Sequence, residues 1–102
     1  MASRTVFPRS VSGVLSAAGA SASSFSAQGT FNLSLWGTFS ATMVLERTFD
    51  GVTWLPYTYV DGTPLVFRLP VSTTIDEPEE GIRYRLRCTS YTSGTVNWRM
   101  SH

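Results

Sequence analysis

Apolar and polar positions alternate most regularly at the end of the chain. In GIRYRLRCTSYTSGTVNWRMSH, residues 81–102, Ile82, Tyr84, Leu86 and Cys88 alternate with Arg83, Arg85 and Arg87. An extended strand therefore puts the apolar set on one face and three guanidinium groups on the other. Val96, Trp98 and Met100 then alternate with Asn97, Arg99 and Ser101. With residues 92–94 as a turn, the two runs read as a β-hairpin whose core face is aromatic and aliphatic and whose outer face carries four arginines.

The same period recurs upstream. Phe31, Leu33 and Leu35 alternate with Asn32, Ser34 and Trp36, and after Gly37 and Thr38 the pattern resumes with Ala41, Met43 and Leu45. This predicts strand, tight turn, strand. Asp50 and Gly51 supply the next turn, residues 53–60 a strand interrupted by Pro56, residues 61–64 another turn, and residues 65–69 a strand closed by Pro70. Residues 72–81 hold Asp76, Glu77, Glu79 and Glu80 around Pro78 and read as an acidic loop. Residues 11–27 are rich in Ser, Ala and Gly and offer two weak strands, 11–16 and 22–25. Residues 1–10, with Arg4, Phe7, Pro8 and Arg9 in no clear period, read as an extended arm. Six clear strands and two weak ones, spaced by turns and without an amphipathic helix, predict an all-β fold: an antiparallel, jelly-roll-like β-sandwich spanning residues 11–102.

Composition narrows the function classes. A chain of 102 residues makes one small domain that buries only about two-thirds of its unfolded surface, so partner chains would help it. All eight basic residues are arginine, against seven acidic ones, for a net charge of +1. Such a balance lacks the basic excess of a nucleic-acid binder. Arginine, weakly hydrated and able to form planar bidentate pairs, suits a protein interface; codon usage would produce the same bias. Cys88 is the single cysteine and His102 the single, terminal histidine. A nucleophile with its base or a metal site is therefore not expected, nor is any cofactor or small-molecule substrate. Cys88 reads as a small core residue. No apolar run is long enough for a signal peptide or a membrane span, which predicts synthesis in a reducing cytoplasm.

Two local patterns carry structural meaning. Thr48-Phe49-Asp50-Gly51-Val52-Thr53-Trp54 approximates the Asp-box, a turn in which the carboxylate accepts backbone N–H bonds, with one residue fewer before the tryptophan. Its role there is structural. The carboxylates before the closing run and the arginines within it form complementary sets. They could pair within one chain or between subunits. Trp36, Tyr57 and Tyr59 are candidates for exposed aromatics at an interface or a glycan site.

Residues 45–56, LERTFDGVTWLP, and 77–101, EPEEGIRYRLRCTSYTSGTVNWRMS, resemble a pattern in small virion proteins of tailed bacteriophages. There a segment Leu-Glu-Arg-Ser-Phe-Asp-Gly-Gly-x-Thr-Trp precedes Glu-Pro-Glu-x-Gly-x-x-Tyr-Arg-Leu-x-Cys-x-x-Tyr-Thr-Ser-Gly-Thr. The likeness runs from about Gly29 to the C-terminus; a glycine is missing before Val52, and the first residues are unmatched. The resemblance implies a β-sandwich structural protein, not an enzyme: a capsid decoration or cement protein on the outside of the major capsid shell. A neck, tail or fibre component, or a carbohydrate- or host-binding module, is the alternative. Its expected partners are the major capsid protein and further copies of itself, as homodimer or homotrimer, and not nucleic acid or membrane. The interface candidates are Arg4, Phe7 and Arg9 in the arm, Arg83, Arg85, Arg87 and Arg99 in the closing runs, and Glu77, Glu79 and Glu80 before them.

Overall fold

The computed structural model of the protein describes residues 10–102. Its regular elements are β1 (Ser10–Leu15), β2 (Gly19–Ala20), β3 (Phe25–Trp36), β4 (Phe39–Thr48), β5 (Leu55–Pro56), β6 (Val66–Phe67), β7 (Val71–Gly94) and β8 (Val96–Ser101). They form one antiparallel sheet in the order β1-β8-β3-β7-β4-β5, with β2 added to β7 and β6 to β4. Ser10 already belongs to β1, so the arm expected over residues 1–10, including Arg4, Phe7 and Arg9, lies outside the described residues apart from its last member.

The sheet becomes a sandwich because β7, 24 residues long, serves both layers. Residues 71–77 pair with residues 29–35 of β3, and residues 83–94 pair with residues 39–48 of β4. Between these stretches Ala27 pairs with Ile82 and Gly29 with Glu77, leaving Gln28 alone opposite residues 78–81. This wide bulge contains Pro78 and the positive-φ Gly81 and carries the strand from one layer into the other. The segment expected as an acidic loop is thus strand and bulge. Its inward positions, Ile75 and Glu77, are buried while its outward ones are exposed, so the alternation was present but interrupted by proline and masked by charge.

The first layer holds β1, β8, most of β3 and the start of β7; the second holds the start of β3, β2, the rest of β7, and β4 with β5 and β6. Phe31, Leu33, Leu35, Ile75, Val96, Trp98 and Met100 face Met43, Leu45, Tyr84, Leu86 and Cys88 in a single core. The Phe31 and Tyr84 rings meet at 4.8 Å with an interplanar angle of 56°, a tilted aromatic contact between the layers. Cys88 is buried among these side chains and donates its thiol to the Ser90 carbonyl at 3.3 Å.

Two expected hairpins are corrected. β7 and β8 do not pair: β8 lies between β1 and β3, and Thr95 takes the chain across to the first layer. β3 and β4 do not pair either, and Gly37 with Thr38 makes the opposite crossing. Alternation reveals a strand but not its partner, and a connection of one to three residues serves either a hairpin or the roughly 10 Å step between stacked layers. The two crossings lie against one another: Phe39 pairs with Gly94, and the Thr95 N–H donates to the Thr38 carbonyl at 3.1 Å. A Cβ on Gly94 would overlap the Thr38 carbonyl oxygen, and one on Gly37 would stand 2.6 Å from that of Thr95.

The β4–β5 turn is as read from the sequence. One Asp50 carboxylate oxygen accepts the N–H groups of Val52 at 2.8 Å and Thr53 at 2.6 Å, and Thr48 Oγ1 accepts that of Gly51 at 2.9 Å. The bonds from Thr53 and then Val52 hold the exposed Asp50 carboxyl at a pKa of about 2. The strand expected over residues 53–60 shrinks to β5; beyond it Thr58 bridges Pro64 around the turn at Asp61, whose carboxylate accepts the Thr63 N–H at 2.9 Å.

Candidate interaction site

The outer arginine face is smaller than the alternation predicted. Because β8 lies in the first layer, Arg99 stands opposite Ser12 and Ser34, on a different face from Arg83, Arg85 and Arg87. Arg85 is used internally. Its Nε donates to Glu46 Oε1 at 2.7 Å, its cross-strand partner, and its guanidinium lies 4.2 Å from the Trp54 ring centroid. Arg83 and Arg87 are exposed, and neither has an ion-pair partner among the described residues. Arg83 reaches back over the β4–β5 turn, its Nη2 standing 2.5 Å from where a Cβ on Gly51 would be.

Glu77 is a correction to the interface candidates, since its carboxylate turns inward and is 2 % exposed. Its Oε1 accepts from Arg47 Nη2 at 2.5 Å, Arg47 Nε at 3.0 Å and Tyr84 Oη at 2.7 Å, while Oε2 accepts the Glu79 N–H at 3.0 Å. Burial pushes this carboxyl up, but the bonds from Tyr84, the Glu79 amide and Arg47 together outweigh it and hold it below the usual glutamate range. Burial, and then the bond to Glu77, push the Tyr84 phenol well above its ordinary value. With its charge stabilised by these four bonds, Glu77 fastens β4 and both parts of β7 together. Glu79 and Glu80 remain exposed, the latter accepting from Gln28 Nε2 at 3.1 Å.

What the sequence did not reveal is a groove along the open side of the sandwich. Residues 71–77 have β3 on one side and no strand on the other among the described residues. Facing that free edge is the excursion between β5 and β6. Two recesses that share Tyr57 run along it. One, of about 450 Å³, is charged, with Arg47, Asp76, Glu77 and Glu79 beside Leu55 and Pro56. The other, of about 350 Å³, is apolar, with Tyr59, Leu65, Phe67, Val71 and Ile75. Of these apolar side chains Leu55 and Tyr59 are also well exposed, at 46 % and 54 %. Exposed apolar side chains beside a free strand edge mark a surface suited to protein contact.

The candidate aromatics divide. Tyr57 and Tyr59 line this groove, whereas Trp36 stands on the outer face of the first layer, so they do not form one stacking platform. Among the described residues no three His, Cys, Asp or Glu side chains gather as metal ligands would, and no helix is long and apolar enough to cross a membrane.

Comparison with protein families, curated proteins and solved structures returns no match for this chain.

Proposed function

We propose that the protein is a capsid decoration, or cement, protein that binds the outside of a tailed-phage head and stabilises the shell by bridging its subunits. The observation that carries this reading is the groove: a free strand edge flanked by an apolar and a charged recess, with Leu55 and Tyr59 exposed along it. Such a surface gives a small domain a means of holding extended segments of neighbouring chains through backbone pairing and side-chain pockets. The phage-like blocks at residues 45–56 and 77–101 supply the class of partner. In the fold those blocks form the end of β4 with β5, the later part of β7 and β8, and they contribute Arg47, Leu55, Pro56, Glu77 and Glu79 to the groove's charged recess. The major capsid protein and further copies of this chain are the partners on this reading, with the chain made in the host cytoplasm and placed on the capsid exterior.

The test is to add purified protein to heads assembled without it, and to count bound copies by particle imaging and quantitative gel analysis. Occupancy of symmetry-related positions over the whole shell, with raised resistance to heat or chelation, is the expected result. A few copies at one vertex would assign the chain to the neck or tail instead.

A further inference from the structure

We propose that the outer face of the first layer carries a carbohydrate site built from Trp36, Asn97 and Arg99, and that its ligand is an acidic sugar: a pyranose ring bearing a carboxylate, within a uronate-containing polysaccharide. This goes beyond the cement reading and does not depend on it.

Register places the three side chains together. Trp36 pairs with Asn97 and Ser34 with Arg99, so Trp36 and Arg99 are diagonal neighbours on one face, roughly 7–8 Å apart. Trp36 is 48 % exposed. A half-exposed indole offers a flat apolar plane whose negative face attracts the polarised C–H groups on one side of a pyranose ring. Asn97 is held beside it, its Nδ2 donating to the Trp36 carbonyl at 3.3 Å. That bond orients the amide and leaves the second Nδ2 hydrogen and Oδ1 free. Adjacent sugar hydroxyls present a donor and an acceptor side by side, which such an amide matches.

Arg99 supplies the charge. It is exposed, has no ion-pair partner among the described residues, and stands between Ser12 and Ser34, whose side chains are too short to cover a guanidinium. The Ser34 hydroxyl is engaged with that of Ser72 at 3.2 Å. Among the described residues, the only other charged side chain on the outward positions of the paired strands in this layer is Asp76, which accepts from Thr30 Oγ1 at 3.1 Å. Asp76 lies four residues along β7 from Ser72, about 13 Å. Arg99 is therefore free to take a carboxylate in a two-pronged bond.

The rest of the face disfavours other partners. Ser12, Asn32, Ser34, Ser72 and Thr74 make it small-featured and polar, unlike the apolar centre of a protein contact. One cation cannot follow a phosphate backbone, and one indole gives no succession of stacked bases. Val14, across Asn97 from Trp36, is the face's second exposed apolar side chain; at about 10 Å from Trp36 it can support a further ring of the same polysaccharide.

The test is titration calorimetry of the full chain with oligosaccharides of galacturonate, mannuronate and glucuronate, with their methyl esters as uncharged counterparts and oligothymidylate as the nucleic-acid control. At least one uronate should bind at millimolar concentration or below. Arg99→Gln should weaken that binding about tenfold and remove the preference over the ester; Trp36→Ala should weaken both forms, and Trp36→Tyr should retain most of the affinity. Arg83→Gln, on the other layer, should change nothing. Thermal melting checks that each variant is folded. Absence of binding by any of the three uronates, equal binding of the ester, affinity indifferent to Trp36→Ala, or tighter binding of oligothymidylate would each overturn the proposal.

Discussion

Glu77 and Tyr84 belong to one continuous strand, yet the phenol of Tyr84 donates to the carboxylate of Glu77 at 2.7 Å across the core. Seven residues of straight strand would separate them by about 23 Å. The contact is made because the bulge at residues 78–81 turns β7 from one layer into the other, and Arg47, from the neighbouring β4, completes the arrangement.

Replacing Glu77 with glutamine should therefore destabilise the fold by about 1–3 kcal/mol, since the amide keeps the shape but loses the charge that Arg47 and Tyr84 were arranged to meet. Tyr84→Phe, which removes one of several bonds to the carboxylate, should cost about 1 kcal/mol. Denaturant unfolding of the two variants beside the parent chain checks the order. Equal losses would show that the phenol, not the charge, fastens the layers.

The acid limb of stability follows from the same residue and from Asp50. Both carboxyls are held below their ordinary values in the folded chain, so the unfolded chain binds protons first as the pH falls. Their contribution is complete above about pH 4.5, where the unfolded groups are ionised, and is lost below it, for Asp50 down to its pKa of about 2. Melting temperature should be flat near neutrality and fall on acidification. Glu77→Gln should lower the plateau and flatten part of that slope; an unchanged slope would show that other carboxylates set the acid limb.

The two crossings predict an asymmetry among glycines. Gly94 and Gly62 have nearly the same backbone angle, φ 89° and 90°, but a Cβ on Gly94 would overlap the Thr38 carbonyl whereas one on Gly62 would meet nothing within 4 Å. Gly94→Ala should cost about 2–4 kcal/mol, combining strain with overlap, and Gly62→Ala about 1–2 kcal/mol from strain alone. Chemical denaturation of the pair measures the difference.

These residues also show what was legible beforehand. The strands around residues 31–35, 41–45, 82–88 and 96–100, the Asp50 and Asp61 turns and the core set of Tyr84, Leu86, Cys88, Val96, Trp98 and Met100 follow from period-two alternation and turn chemistry, which are local; the same rules misread residues 53–60 and 72–81. Pairing is not local. Nothing within residues 82–100 says that β8 joins β1 and β3 and not β7, because that choice depends on the whole layer. The Arg47–Glu77 contact left a faint trace: Arg47 continues the inward phase of Met43 and Leu45, and Glu77 that of Ile75. Two opposite charges at core-facing positions are each costly alone and tolerable together. The groove left no trace, since it exists only where the edge of one layer meets the loops of the other.

The arginines of β7 should separate by function. Arg85 is held by Glu46 and stacked on Trp54, so Arg85→Ala removes a cross-strand ion pair and a cation–π contact and should cost about 1–2 kcal/mol. Arg83 and Arg87 have no ion-pair partner among the described residues, and replacing both with alanine should change stability by less than about 0.5 kcal/mol. If the groove is the main contact with the shell, that double variant will also keep most of its occupancy on heads, while Tyr59→Asp, which charges the apolar recess, will lose it. Occupancy lost by the arginine variant and kept by Tyr59→Asp would return the interface to the outer face of β7.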